Sequence, residues 1–428
     1  MSELSALGPT GTGYKMINFQ DSGPLSGTVN SAVISREGEK KFDEEIGHVD
    51  VKVIFMQIED AWQFPVEEVR LNWEKGILTF IKMECNRKND RYLDWLISGQ
   101  YDPIIRRFLA GVKAAGVPVL IHPIGHEMNG RSFGELDERP GHYYWYPWGD
   151  AGDFGLTSVN GPTKYKRAFN NFLKIANEEK VENALWGVNF HVLRPNIAQG
   201  GINEEADFFQ YYPPTDPGYP ADGANKIGII LFDSYCPLHA QECGQVGDWL
   251  ARSFIQMDEK IDKYNDDLEK YNKSHPDRPK TKLLKLPYGI GEAGAKVDWQ
   301  FPSIISVFNG THPALKAKGI KPILSIYYNV PEDAVYATHI TPLKGGLIKP
   351  FQGFLASLNN DQFDFRPAKL ANNPNLAPYP LPAPPAPLPN PNAIIREIPD
   401  FVLPSQIGQR VCRPPQKGDN CLSAYPEE

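Results

Sequence analysis

The sequence has little cysteine, no long apolar run and no surplus of positive charge, and each shortage removes a class of protein. Five cysteines in 428 residues are too few for a disulfide-built scaffold, and none forms the Cys-x-x-Cys pair of a zinc ribbon. No stretch approaches the roughly 18 uninterrupted apolar residues that read as a bilayer span. Met1–Gly13 has neither a basic n-region nor an apolar run of about 7–15 residues, so it does not read as a secretory signal. Forty-four Lys and Arg against fifty-two Asp and Glu give a net charge of −8. That balance argues against a nucleic acid or an anionic membrane as partner, since neither attracts a net negative field.

What is present is enough to build a large core. Hydrophobic residues are 41% and charged residues 22% of the chain, a globular composition. Proline is the excess: 39 residues, about 9%, against an average near 5%. Eight of them fall in Pro378–Pro391, PYPLPAPPAPLPNP, which can neither continue a helix nor donate to a ladder and should be extended polyproline II. A spacer or a strap over the main domain is the first expectation for it; a ligand for another protein's aromatic groove is the second. Cys236 with Cys243 and Cys412 with Cys421 are spaced for short loops, and Asn272 and Asn309 begin glycosylation-type triplets. These features favour an extracellular setting, reached by a route the sequence does not show or by a chain that has lost its leader.

Short β-rich apolar runs recur at Lys15–Gln20, Val51–Asp60, Ile77–Cys85, Pro118–Gly125, Ala184–Phe190, Ile227–Tyr235, Leu286–Gly291 and Lys321–Asn329. Helical periodicity fills several gaps between them, at Tyr101–Ala115, Thr163–Lys180 and Gly247–Tyr271. Near-continuous apolar strands alternating with helices predict a parallel sheet covered on both faces. Eight of them predict a (β/α)8 TIM barrel spanning 1–364, with a Pro-rich C-terminal extension over 365–428. Arg131–Trp148 and Asn196–Asp222 read as long loop insertions at the C-terminal ends of strands, where catalytic loops of such barrels sit.

Three motifs fail on inspection. Gly289, Gly291 and Gly294 spell GxGxxG after a strand, but Glu292 stands where a pyrophosphate would approach. Gly8–Lys15 lacks the Gly-Lys pair of a P-loop, because Tyr14 intervenes. His126-Glu127 starts like a zincin site, yet Gly130 occupies the second histidine's place. No metal and no organic cofactor is expected.

Two carboxylates remain. Glu127 lies just past one apolar strand, in Gly125-His-Glu-Met-Asn-Gly130, and Glu292 ends another, in Gly289-Ile-Gly-Glu-Ala-Gly294. A charge there costs desolvation unless something uses it. Each alone reads as readily as a helix cap or an ion-pair partner; both, on the fourth and seventh strands, point over one barrel mouth.

With these residues in place, the region from about Asp94 to Asn329 resembles glycoside hydrolase family 26. The pieces are Ile97-Ser-Gly-Gln-Tyr-Asp102, Val117-Pro-Val-Leu-Ile121, His126-Glu-Met-Asn-Gly130, Tyr146-Pro-Trp-Gly149, Ala184-Leu-Trp186 with Pro195-Asn196, Phe232-Asp-Ser-Tyr235 and Glu292-Ala-Gly294, in the family's order. The resemblance implies a retaining glycosidase with Glu127 as general acid/base and Glu292 as nucleophile. It also implies that His126 lines the catalytic subsite and that Tyr235 orients the nucleophile. Trp145, Trp148, Trp299 and Tyr327 are the aromatic candidates for sugar platforms. The sequence departs from the family at Pro123, where an Arg would stand, in the expanded link Arg131–Tyr144, and in Tyr327 and Tyr328 in place of a Trp.

The implied activity is that of a retaining endo-β-glycanase hydrolysing a neutral β-linked polysaccharide, first of all β-1,4-mannan, with β-1,3-xylan and mixed-linkage β-glucan as alternatives. A reading from a different class is a non-catalytic structural or carbohydrate-binding protein on the same barrel, its Pro-rich tail used in assembly.

Overall fold

The computed structural model describes residues 25–30, 51–57, 64–75, 77–84, 92–129, 161–192, 207–220, 225–234, 246–277, 280–293, 301–308 and 310–329. Seven parallel strands form a curled sheet: β2 (Val51–Gln57), β3 (Leu78–Glu84), β4 (Val119–His122), β5 (Ala184–His191), β6 (Ile227–Ser234), β7 (Tyr288–Ala293) and β8 (Leu324–Asn329). The backbone of β1 (Leu25–Asn30) pairs in parallel with both β2 and β8, so the strands run round the ring in chain order. Parallel neighbours need crossovers, and the described helices supply them. A helix follows β2, β3, β4, β6 and β7, whereas two short 3-10 turns, Phe208–Tyr211 and Pro213–Thr215, follow β5. The architecture is α/β and barrel-like.

The seven later strands lie within one to three residues of the apolar runs, because strands covered on both faces leave an unbroken hydrophobic signal. The expected first strand, Lys15–Gln20, lies outside the described residues. The segment that fills that place, Leu-Ser-Gly-Thr-Val-Asn, carries two large aliphatic residues in six and gives no such signal. The three expected helices are present as Asp102–Ala115, Pro162–Glu178 and Val246–Ser274. The first begins on a proline in its first turn and stops at Gly116, whose left-handed φ of 66° is strained for a side chain with a Cβ. Ile104, Ile105, Phe108, Leu109 and Val112 form its buried stripe. Four further helices, Val66–Glu74, Tyr92–Ser98, Phe301–Phe308 and Pro313–Lys318, have nine residues or fewer. That is under three turns, too short for a periodicity to declare itself.

Strand alternation sorts the core into two layers. Outward-facing Phe232 meets Phe254 of the 246–274 helix, which stacks on Tyr288 at 5.4 Å. Trp186 meets Phe172 of the 162–178 helix. Inside the ring, Leu120, Ile229, Leu231 and Leu324 close on Gly187 and Gly289, where a Cβ would come within 2.7 to 3.6 Å of them. Each buried Leu or Ile contributes about 1.5–3 kcal/mol of transfer free energy.

Arg131–Trp148 and the segment from 330 onward, including the Pro-rich extension, lie outside the described residues, as do all five cysteines. Of Asn196–Asp222, residues 207–220 are described and carry the two 3-10 turns. Among the described residues, no helix is long and apolar enough to cross a membrane.

Candidate active site

The C-terminal ends of β3 to β7 bring ionisable groups together inside the ring. Glu127 follows β4 in a tight turn, and both it and Gly125 adopt positive φ, 50° and 66°. For a glutamate this is unusual, at a cost of order 1–3 kcal/mol that the surroundings must offset. The turn is clamped from β5: Asn129 Nδ2 donates to the His191 carbonyl at 2.9 Å, and the His191 N–H donates back to Asn129 Oδ1 at 2.8 Å. Tyr165, from the 162–178 helix, donates its hydroxyl to the Ile124 carbonyl at 3.2 Å. Glu127 is buried, with His191 Nε2 3.9 Å from its Oε1.

Glu292 owes its direction to an irregularity in β7. Phe232 is level with Ile290, but the next residue, Asp233, is level with Glu292. Against β8 the same stretch is again one residue long, since Ile290 is level with Ser325 and Ala293 with Tyr327. Gly291 is therefore a bulge. Tyr288 and Ile290 face the helices, and simple alternation would send Glu292 out with them. The extra residue turns it inward beside Asp233. Only glycine fits at the bulge, because a Cβ there would lie 1.8 Å from Asn189 Oδ1 and 2.5 Å from Asp233 Oδ1.

Around Glu292 the charges interlock. Lys82, from the middle of β3, donates its ammonium to Glu292 Oε1 at 2.6 Å and to the Gly291 carbonyl at 3.2 Å, and lies 3.5 Å from Asp233 Oδ2. Lys82 and Asp233 are wholly buried and Glu292 nearly so. Asn189 Nδ2 donates to Asp233 Oδ2. Burial pushes the Asp233 carboxyl well above its ordinary range, against the pull of Lys82, and the nearby charge of Glu292 adds to the push. His126 stands between the two acids, Nδ1 3.6 Å from Asp233 Oδ2 and Nε2 3.6 Å from Glu292 Oε1, with the Phe55 ring edge-on to it. His122, one pair along β4, is buried, and desolvation lowers it to about 4 despite its contact with the Gly187 carbonyl.

One His/carboxylate grouping could be reached by a single cation: ligand-type atoms of His126, Glu127 and Asp233 lie within 4.8 Å of one another. The Lys82 ammonium already provides positive charge against Asp233, so we do not read the cluster as a metal site.

Glu127, Glu292 and His126 thus line the interior at the strand ends. Tyr327 lies on β8 opposite Ala293 in the backbone register. Tyr235, Trp145, Trp148 and Trp299 lie outside the described residues. Sequence reasoning missed Lys82, Asn189 and His191 and assigned no role to Asp233. A usable signal existed for two of them: Lys82 stands between Ile81 and Met83, and Asp233 ends the apolar run Ile229–Phe232, charges in apolar surroundings that only a partner makes tolerable.

The sequence matches no protein-family model, and no curated protein matches it. Solved structures do match. One is an endo-β-1,4-mannanase double mutant from Cellulomonas fimi, at 12% identity over 80% of this chain and 74% of that one, with a TM-score of 0.51. Others are the catalytic domain of a family 26 endo-β-1,4-mannanase from a Bacillus species (14% identity, 81% and 92% covered, TM-score 0.49) and a family 26 β-mannanase from Bacteroides ovatus (13%, 81% and 94%, 0.45). At these identities the likeness is one of fold, and the Cellulomonas structure carries it.

Proposed function

We propose that this chain is a retaining β-glycanase of the glycoside hydrolase family 26 type, acting on β-1,4-mannan. The observation that carries the reading is the pair of buried glutamates at the ends of β4 and β7, facing into one barrel-like interior with His126 beside them. The complete (β/α)8 repeat, over 1–364, belongs to the same proposal, as do an extended tail over 365–428 and an extracellular site of action.

In this mechanism Glu292, as carboxylate, attacks the anomeric carbon while Glu127 protonates the departing glycosidic oxygen. Glu127, now ionised, takes a proton from water, which attacks the same carbon and frees Glu292. The inward turn of the β7 bulge and the clamped β4 turn supply the positioning such chemistry needs. His126 lines the catalytic subsite and Tyr235 orients Glu292, with Trp145, Trp148, Trp299 and Tyr327 as sugar platforms. A net charge of −8 suits a neutral glycan rather than a polyanion.

The test is release of reducing ends from β-mannan, β-1,3-xylan and mixed-linkage β-glucan by wild type, Glu127→Ala and Glu292→Ala. Wild type cleaves mannan fastest, and each variant loses about 10²–10⁴-fold or more. Cleavage of another glycan instead would move the substrate. No cleavage of any would leave the non-catalytic, glycan-binding reading of the barrel.

A further inference from the structure

Lys82 has no part in the two steps just described, yet it is more deeply buried than any other lysine among the described residues. We propose that Lys82 is a positioning residue of Glu292, in addition to Tyr235: its ammonium is the built-in counter-charge that holds the nucleophile as an inward-facing carboxylate and receives it again when the glycosyl-enzyme breaks down. The inference rests on Glu292 being the nucleophile.

The geometry is specific. An ammonium has three hydrogens, and three acceptors stand round this one: Glu292 Oε1 at 2.6 Å, the Gly291 carbonyl at 3.2 Å and Asp233 Oδ2 at 3.5 Å. Binding the bulge carbonyl and the next side chain together fixes both the backbone kink and the carboxylate it turns inward. Phe55 and Phe80 flank the ammonium at 5.8 and 5.3 Å from their ring centroids, where ring faces attract a cation. The lysine is backed by rings on one side and acids on the other.

The charge count points the same way. Glu292 is faced by Lys82 from β3, by Asp233 from β6 and by His126 from the turn after β4. Asp233 is a second acid; burial favours its protonated form. His126 carries a charge only when protonated. Among the described residues, Lys82 is the lysine or arginine that lies against Glu292, at 2.6 Å.

In the first step an oxygen of Glu292 forms a bond to the anomeric carbon, the glycosidic bond breaks, and the leaving oxygen takes the Glu127 proton. The ammonium then faces a neutral ester. In the second step the water oxygen bonds to the anomeric carbon, its proton goes to Glu127, and the electron pair of the ester bond returns to Glu292. Lys82 transfers no proton; it stabilises the carboxylate at both ends of the cycle.

Two measurements test this on the full chain. The first needs no activity: a double-mutant cycle in urea unfolding with Lys82→Met, Glu292→Gln and both. Coupling is expected, with the double variant unfolding at least about tenfold less readily than the two single effects predict. Should Lys82→Met fail to fold while the double variant folds, that is the same result in its extreme form. Additive effects overturn the proposal.

The second is the pH profile of kcat/KM on 2,4-dinitrophenyl β-mannobioside. Lys82→Met is expected to move the acid limb upward by about one unit or more, since that limb reports the free enzyme's essential base, and Lys82→Arg to restore it. A limb that stays in place while activity falls equally at every pH makes Lys82 merely structural and also overturns the proposal. If wild type cleaves neither this substrate nor any glycan, the glycosidase reading is what fails. The unfolding cycle then decides alone whether Lys82 holds Glu292.

Discussion

Replacing Gly291 with alanine should disable the site through one methyl group. A Cβ at this position would lie 1.8 Å from Asn189 Oδ1, 2.5 Å from Asp233 Oδ1 and 3.0 Å from Asn189 Cγ. Ordinary contact needs about 3.5 Å, so the Asn189 amide must retreat by roughly 1.5 Å. It has little room, being buried and bonded to Asp233. Overpacking of this kind costs about 1–3 kcal/mol, and losing the amide donor to a buried acid costs about 1–3 more. Gly291→Ala should therefore lose about 2–6 kcal/mol, read as a lower urea midpoint at unchanged slope. The decisive comparison adds Asn189→Ala, which removes the atom in the way. The double variant should be more stable than the sum of the two single losses by about 1–3 kcal/mol. Additivity within about 0.5 kcal/mol would refute the reasoning, because the bulge would then not be packed against Asn189.

Two other expectations follow from the same residues. His122 sits at about 4 against an ordinary value near 6.5, so the unfolded chain binds its proton first as pH falls. The stability it contributes is complete above about 6.5 and is lost between there and about 4, amounting to roughly 3 kcal/mol; denaturation curves over that window should show His122→Gln to be less acid-sensitive than wild type. At Glu127, φ of 50° strains a residue with a Cβ, so Glu127→Gly should raise thermal stability by about 1 kcal/mol or more while abolishing hydrolysis. A loss of stability there would mean that the turn depends on the carboxylate.

The sequence made the strands legible and the site only half so. Seven strands stood out because burial on both faces leaves no polar alternation to confuse them. The strand that closes the ring did not, since Leu25–Asn30 offers Ser, Gly, Thr and Asn in six positions. Glu127 and Glu292 could be found because a charge beside glycines at a strand end interrupts an apolar pattern. Their orientation could not. Alternation counted from Tyr288 points Glu292 toward the helices, and the extra residue at Gly291 appears only in the register with Asp233 and Ser325. Lys82 was visible as an oddity inside Leu78–Glu84, but its partners lie 209 and 210 positions away, and nothing local names them.

That separation has a consequence for how the molecule forms. Contacts between such distant parts of a chain close late, after the entropy of the intervening loop has been spent. Until β6 and β7 dock, the Lys82 ammonium lacks both of its carboxylates, Asp233 and Glu292, and the apolar wall of β3 cannot be sealed over it. A chain stopped at the first half of the ring therefore keeps a wet seam where the finished protein is dry. The residue that steadies the carboxylate in the mature fold is, during assembly, a mark of incompleteness, and it disfavours half-barrels that would otherwise pass as closed.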